Sequence, residues 1–185
     1  LTRDGGFNHN MQCLRICELL ETSYRDFPGL NLTREVLDGQ QRRSEKHSWG
    51  APSTGGEEAA DSPLLEVQVV DLADSIAYDA HDADDALELN LLEPDQLLEV
   101  PLWREARHRV ESRAPNMRER QLRRAIVHEV IDWQVCDAIE HAAGSLAERG
   151  IRNVADVRKS PVAIVPSEAI LEKKRLLERF LFDNV

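Results

Sequence analysis

The sequence has 185 residues, of which 42% are hydrophobic, and this is enough for one folded domain with a core. Its net charge of −11 disfavours a general nucleic-acid or membrane-surface binder, because such proteins carry a basic excess that neutralises phosphates. No apolar run approaches the roughly 18 residues of a membrane-spanning helix, and three cysteines form no even disulfide framework, so we expect a cytoplasmic protein.

The first part of the chain shows helical spacing. Apolar residues recur at near-helical intervals from 8 to about 24, and Pro28 and Gly29 then break the run. A short helix is predicted over 33–37. The following segment, 38–63, is rich in glycine, serine, proline and charged residues, and this composition predicts a long mobile loop on the surface.

Three longer helices are predicted after that loop. The first runs from about 63 to past 87, the second covers about 115–150 and ends at a glycine, and the last begins with Ser167 as its N-cap. No segment shows the period-two alternation of a strand over more than a few residues. The sequence therefore predicts an all-α helical bundle, with 1–185 as a single domain and the 63–87 helix central and mostly buried.

The stretch "DLADSIAYDAHDADD" within the first of these helices carries an unusual acidic face. At about 100° per residue, six polar side chains fall within one arc of roughly 100°. These residues, called the acidic face below, are Asp71, Asp74, Tyr78, His81, Asp82 and Asp85. One interpretation is a solvated surface opposite an apolar face.

Two features favour a binding role for the acidic face instead. No Lys or Arg occurs between Ser48 and Trp103 to offset the like-charge repulsion. Val67, Val70 and Ala77 lie on or beside the face, so we expect other helices to cover it, and covered carboxylates must be paired or bound to metal.

Three members of the acidic face follow one line along the helix. Asp74, Tyr78 and Asp82 stand at i, i+4 and i+8, so a carboxylate, a phenol and a second carboxylate succeed one another. That order suits a metal, a phosphate and a sugar hydroxyl in sequence. Asp79 and Asp84 point away from the arc, and their replacement by alanine is predicted to be near neutral.

Several segments in order resemble the deoxynucleoside triphosphate triphosphohydrolases of the HD superfamily, the dGTPase-like enzymes. "DLADSIAYDAHDADD" resembles the last metal motif of that family, and "GFNHNMQCLRI" is similar to its Phe-Asn-His-Asn-x-Gln-Ser-Leu-Arg segment. "GLNLTREVLDG", "LLEVQVVDLAD" and "EKKRLLERFLFDNV" follow in the family's order, so the resemblance covers nearly the whole chain. The departures, Met11, Cys13, Arg34 and Ser75, fall on no position to which the resemblance assigns chemistry.

The resemblance implies a helical enzyme that cleaves a dNTP, such as dGTP, to deoxynucleoside and inorganic triphosphate. It assigns Asp74 as the last ligand of a divalent metal ion, Mg, Mn or another transition metal. It places Tyr78 against the sugar and phosphates, and Asp82 as acceptor of a hydrogen bond from the sugar 3′-hydroxyl. His9 is expected to donate to phosphate or to assist proton transfer, whereas His81 is a neighbour of the site and not a ligand.

The resemblance also implies that this chain corresponds to the C-terminal portion of such an enzyme. The family's first histidine, its His-Asp dyad and its catalytic histidine and glutamate precede the position that matches Leu1. One carboxylate does not hold a transition metal at useful affinity, so we expect the chain alone to be inactive and metal-free. A homo-oligomer is expected by resemblance. The alternative is a non-catalytic interaction or regulatory module whose acidic helix meets a basic partner.

Three smaller groups of residues leave alternatives open. His9, Cys13 and Cys17 stand at i, i+4 and i+8 and either form a soft metal site or, more commonly for such cysteines, pack beneath the helix. A set of arginines either binds the triphosphate tail or neutralises the acidic helix. This set comprises Arg118, Arg120, Arg123 and Arg124. The tryptophans Trp103 and Trp133 are predicted core or interface anchors.

Overall fold

The computed structural model of the protein describes residues 9–45 and 62–185. These residues form eight α-helices and one short π-helix, and no strand occurs among them, which confirms the all-α prediction. The α-helices are α1 (His9–Arg15), α2 (Arg34–Glu45), α3 (Leu65–Glu88), α4 (Pro94–Leu97), α5 (Pro101–Arg113), α6 (Glu119–Glu148), α7 (Val154–Lys159) and α8 (Glu168–Asn184).

The helices group into two compact units. Among the described residues, the first comprises 9–45, 62–67 and 153–161, and the second comprises 68–152 and 162–185. The helix α3 continues across the boundary between residues 67 and 68. A single domain over 1–185 stays a prediction. None of the described helices is long and apolar enough to cross a lipid bilayer.

In the first unit, α1 ends earlier than predicted and passes into the π-helix Ile16–Leu20. The chain then turns back on this helix, where the N–H of Gly29 donates to the carbonyl of Glu21 at 2.9 Å. Gly29 has a φ of +75°, and a Cβ there would lie 2.4 Å from the carbonyl oxygen of Cys17. Only glycine fits this return, because both the backbone conformation and the space exclude a side chain.

The helix α2 runs to Glu45, so its predicted end at Leu37 is too early and the residues 38–45 are helical. Glutamine and arginine favour a helix in this stretch despite Gly39 and Ser44, whereas most of the serines and glycines that predict a loop come later. The rest of the predicted loop, 46–61, lies outside the described residues. Within the first unit, the Arg158 guanidinium reaches Asp38 at 3.4 Å and the Ser62 carbonyl at 3.3 Å, which ties α7 to α2 and to the start of α3.

The second unit holds the main apolar core, which α3, α5, α6 and α8 share. The helix α3 contributes Ala80, Ala83 and Ala86, each at most 1% exposed. Leu102 and Trp103 of α5, Val130 of α6 and Leu177 of α8 also belong to this core. The burial of Trp103 and the partial burial of Trp133 against the core confirm the prediction that both are anchors.

The boundaries of the long helices agree with the sequence prediction. The helix α3 begins at Leu65, two residues after its predicted start, and ends at Glu88, while α6 ends at Glu148 just before Gly150, whose φ is +63°. Ser167 caps α8, because its side-chain oxygen accepts from the N–H of Ile170. Capping residues and a left-handed glycine therefore set these ends, as the sequence indicated.

The helices α4, α5 and α7 were not predicted. The clearest omission is α5, which carries a proline in its first turn and buries Leu102, Ala106 and Val110 at i, i+4 and i+8. That spacing and an N-terminal proline are helix signals, so the pattern was present in the sequence. Charged residues between the apolar positions made it inconspicuous.

Candidate functional site

The helix α3 presents its acidic face outward within the second unit. Asp74, Tyr78 and Asp82 are all exposed, and Tyr78 is 66% exposed. The opposite face is buried, with Leu72 and Ile76 at 4% and 2% exposure. The helical phase predicted from the sequence is therefore confirmed, and it brings the three predicted site residues of α3 onto one surface.

The prediction that other helices cover the acidic face is wrong for the described part of the chain. Val70, beside the face, is 50% exposed, and eight of the 24 residues of α3 are buried. The neighbouring helices of the second unit pack against the alanine-rich side, so one side of α3 is central and the other is open. Asp71 departs from the rest of the face and is buried.

The predicted catalytic residue His9 does not lie on α3. It is the first residue of α1, in the first unit, and its side chain lies outside what the structure describes. Its predicted catalytic role stays a prediction. His81, the predicted neighbour of the site, is exposed on α3.

A buried ion pair lies directly beside the line of site residues. The Lys174 Nζ on α8 lies 2.6 Å from the Asp79 carboxylate on α3, with the two residues 1% and 7% exposed. Lys174 also donates to Glu178, one turn further along α8. Burial raises the pKa of Asp79 to about 6, and the attraction of Lys174 opposes this rise.

This ion pair corrects the expectation that Asp79 is a neutral position. Asp79 does point away from the acidic face, but it points into protein and not into solvent. Sequence reasoning missed Lys174, although a signal existed. Lys174 stands in line with Ile170, Leu177 and Leu181, which are the buried residues of α8, so a lysine occupies an apolar position of an amphipathic helix.

Asp84 is also paired, contrary to its predicted neutrality. The Arg123 Nε on α6 lies 2.9 Å from the Asp84 carboxylate, and the same guanidinium reaches Glu88 at 2.6 Å. Of the two roles considered for the arginine set, Arg123 therefore neutralises the acidic helix. The positive charge that α3 lacks in its own sequence comes from α6 and α8.

The described residues do not by themselves fit a complete site for a divalent metal. No group of three His, Cys, Asp or Glu side chains that could hold an ion occurs in the part of the chain that the structure describes. Asp74 supplies one carboxylate, and a tetrahedral or octahedral ion needs several more ligands. Cys13 and Cys17 neighbour each other, and burial together with Cys13 raises the pKa of the Cys17 thiol.

A cavity of about 480 Å³ lies between α5 and α6 in the second unit. Buried Glu129 lines this cavity and pairs with Arg113 at 2.6 Å and with Arg109 at 3.6 Å. None of the predicted site residues lines the cavity. The acidic face of α3 is thus an open surface and separate from this cavity.

The chain thus has an all-α fold with a carboxylate, a phenol and a second carboxylate in line on one helix, and its sequence is similar to those of several known proteins. A deoxyguanosinetriphosphate triphosphohydrolase-like protein of Deinococcus deserti is 41% identical over 98% of this chain and 44% of its own length. A protein of the same name from Ralstonia pickettii is 36% identical over 98% of this chain and 47% of its own length. No family model matches the chain.

These relatives confirm the resemblance. Along 98% of its length, the chain is similar to proteins named deoxyguanosinetriphosphate triphosphohydrolase-like. It spans about half the length of these curated relatives. Another such relative, from Deinococcus radiodurans, is 41% identical over 78% of this chain and 36% of its own length.

Proposed function

We propose that the protein carrying this chain hydrolyses a deoxynucleoside triphosphate of the dGTP type to deoxynucleoside and inorganic triphosphate, with a divalent metal. The observation that carries the proposal is the exposed line of Asp74, Tyr78 and Asp82 on α3, in a chain similar over 98% of its length to proteins named deoxyguanosinetriphosphate triphosphohydrolase-like. In this proposal the protein is a homo-oligomer.

Each side chain of the line has a role that its chemistry allows. The Asp82 carboxylate accepts a charge-assisted hydrogen bond from the sugar 3′-hydroxyl. Tyr78 packs its ring against the sugar, and its hydroxyl donates to a phosphate oxygen. Asp74 supplies one ligand of the metal, and a bound metal would polarise the phosphate and acidify the attacking water.

No group of three candidate metal ligands occurs among the described residues, and the relatives are about twice as long as this chain. We therefore assign the remaining metal ligands, in the proposal, to the part of the enzyme that this chain does not span. The chain alone is expected neither to hydrolyse dNTPs nor to retain a stoichiometric metal.

The exposure of the acidic face also fits a second function from another class, a regulatory module that binds a basic partner. Two measurements separate the functions. In the complete natural protein, release of inorganic triphosphate from dGTP at a steady rate with Mg²⁺ or Mn²⁺, together with its loss in Asp82→Asn at subsaturating dGTP, supports the enzyme. Complete absence of triphosphate release under these conditions would refute the enzyme and leave the partner-binding module.

A further inference from the structure

From residue 80 onward, the side of α3 that faces the core carries mainly small side chains, whereas the larger Leu72 and Ile76 are buried nearer its N-terminus. Ala80, Ala83 and Ala86 are all buried there, and alanine carries only a methyl group beyond the backbone. This alanine-rich part allows close approach of neighbouring helices but interdigitates little with them, so apolar packing beside Asp79 restricts the rotation of α3 about its axis only weakly.

The buried ion pair of α3, unlike this apolar packing, depends strongly on the rotation of the helix. Lys174 approaches from α8 and ends on the Asp79 carboxylate at 2.6 Å. Lys174 is 1% exposed, so water cannot replace its contact with Asp79 if α3 rotates. A buried pair of this kind contributes little net stability relative to apolar residues of the same size, whereas it does restrict the geometry of the two elements that it joins.

The Asp79 side of this pair is close in sequence to the predicted substrate residues on α3. Tyr78 immediately precedes Asp79, and Asp82 follows it by three residues. Because each residue of a helix turns by about 100°, the azimuth of Asp79 determines those of Tyr78 and Asp82. The other charged groups near Asp79 are Glu178 on α8, which shares Lys174, and Asp82 on α3 itself.

We infer that the buried pair of Lys174 and Asp79 is a positioning device, which fixes the rotation of α3 and so aims Tyr78 and Asp82 at the sugar and phosphates of the nucleotide. This inference rests on the proposed function for the identity of the ligand. Neither Lys174 nor Asp79 touches substrate in it, and both act through their neighbours on α3.

Two variants test this inference in the complete natural protein. Asp79→Asn removes the charge on α3 and leaves Lys174 with Glu178, which keeps the lysine paired. The double variant Asp79→Leu with Lys174→Met replaces the pair by apolar side chains and leaves no buried charge unpaired. Glu105→Gln is the matched control, since it breaks the pair of Lys173 with Glu105, which joins α8 to α5 and not to α3.

Steady-state kinetics with dGTP and Mn²⁺ provide the first readout. Both variants should raise KM about ten- to hundredfold, because the sugar and phosphate contacts are misaligned. The control should leave KM unchanged. If KM in both variants equals that of the control, even where their thermal stability falls, the pair is only structural and the inference is overturned.

The second readout does not depend on catalysis. In protein labelled with ¹³C-tyrosine, the ring signal of Tyr78 is the one that disappears in Tyr78→Phe, and both variants should broaden or shift it while Glu105→Gln does not. If the unaltered protein shows no dNTP hydrolysis, the proposed function fails, and the ring signal alone then decides the positioning role. An unchanged Tyr78 signal in both variants would overturn that role.

Discussion

The Nε of Arg123 on α6 lies 2.9 Å from the carboxylate of Asp84 on α3, although the two groups are not aligned for a hydrogen bond. The same guanidinium reaches Glu88 one turn further at 2.6 Å. Arg123 therefore spans two carboxylates of a helix that has no Lys or Arg of its own. The contact links α6 to the end of α3 and relieves repulsion between neighbouring acids.

Replacing Arg123 by alanine should lower the free energy of unfolding by about 1 to 3 kcal/mol, because Asp84 is left partly buried without its cation. Urea denaturation followed by far-UV circular dichroism measures the loss. Arg124→Ala is the matched control, since Arg124 is exposed and carries the same charge one residue on. Equal losses in both variants would mean that the effect comes from net charge and not from the pair.

Replacing Lys174 by methionine should be more damaging than the Arg123 change. It leaves the Asp79 carboxylate buried without a cation, and loss of one partner of a buried pair costs about 3 to 5 kcal/mol. The double variant Asp79→Leu with Lys174→Met should recover most of that loss in the same denaturation experiment. A double variant as unstable as the single one would show that size, and not the uncompensated charge, is responsible.

The pH dependence of stability should reveal the environment of Asp79. Its pKa rises from 3.8 to about 6 in the folded protein, so the folded state holds a proton that the unfolded state has released between these values. The contribution of Asp79 is therefore fully present below about pH 4 and is lost as the pH rises through about 6, by up to about 3 kcal/mol.

Comparison with Asp79→Asn isolates this contribution from the other titrating groups. The stability of the unaltered protein minus that of the variant, from urea denaturation between pH 4.5 and 7.5, should decrease with rising pH and level off above about 7. A difference that increases with pH would show that the attraction of Lys174 outweighs the burial of the carboxyl.

The turn at Gly29 should not tolerate alanine. The new Cβ would meet the carbonyl oxygens of Cys17 and Glu18 at 2.4 Å, and the φ of +75° adds backbone strain. We expect a loss of more than about 2 kcal/mol in the unfolding free energy. Gly150→Ala separates the two causes, because Gly150 has a φ of +63° with nothing within 4 Å and should lose only about 1 kcal/mol. Equal losses at the two glycines would contradict the steric part of this account.

The sequence allowed the long helices and the helical phase of α3 to be predicted, because both follow from local periodicity. It did not allow the environment of Asp79 to be predicted, because its partner Lys174 is 95 residues away on α8. Local periodicity shows on which face of its helix a side chain lies, but it does not show which residue of another helix that side chain contacts. The end of α1 was missed for a related reason, since the tight return at Gly29 depends on the carbonyls of the π-helix.

The three residues on the exposed line of α3 should lose function in different ways in the complete natural protein. Asp74→Ala removes the proposed metal ligand, so both metal retention and dNTP hydrolysis should be abolished. Asp82→Ala should keep the metal and weaken dNTP binding by about 1.5 to 3 kcal/mol, which is the loss of a charge-assisted hydrogen bond. Tyr78→Phe should be intermediate in its effect on activity and should also keep the metal.

Elemental analysis of bound metal and steady-state kinetics with dGTP distinguish these outcomes. Asp85→Ala is the control, because Asp85 is an exposed member of the acidic face to which no role is assigned, whereas Asp79 is buried and unsuitable. The control should retain both metal and activity. If Asp85→Ala were as damaging as Asp74→Ala, the acidic face would act through its total charge, and the ordered assignment of metal, phosphate and sugar along α3 would be wrong.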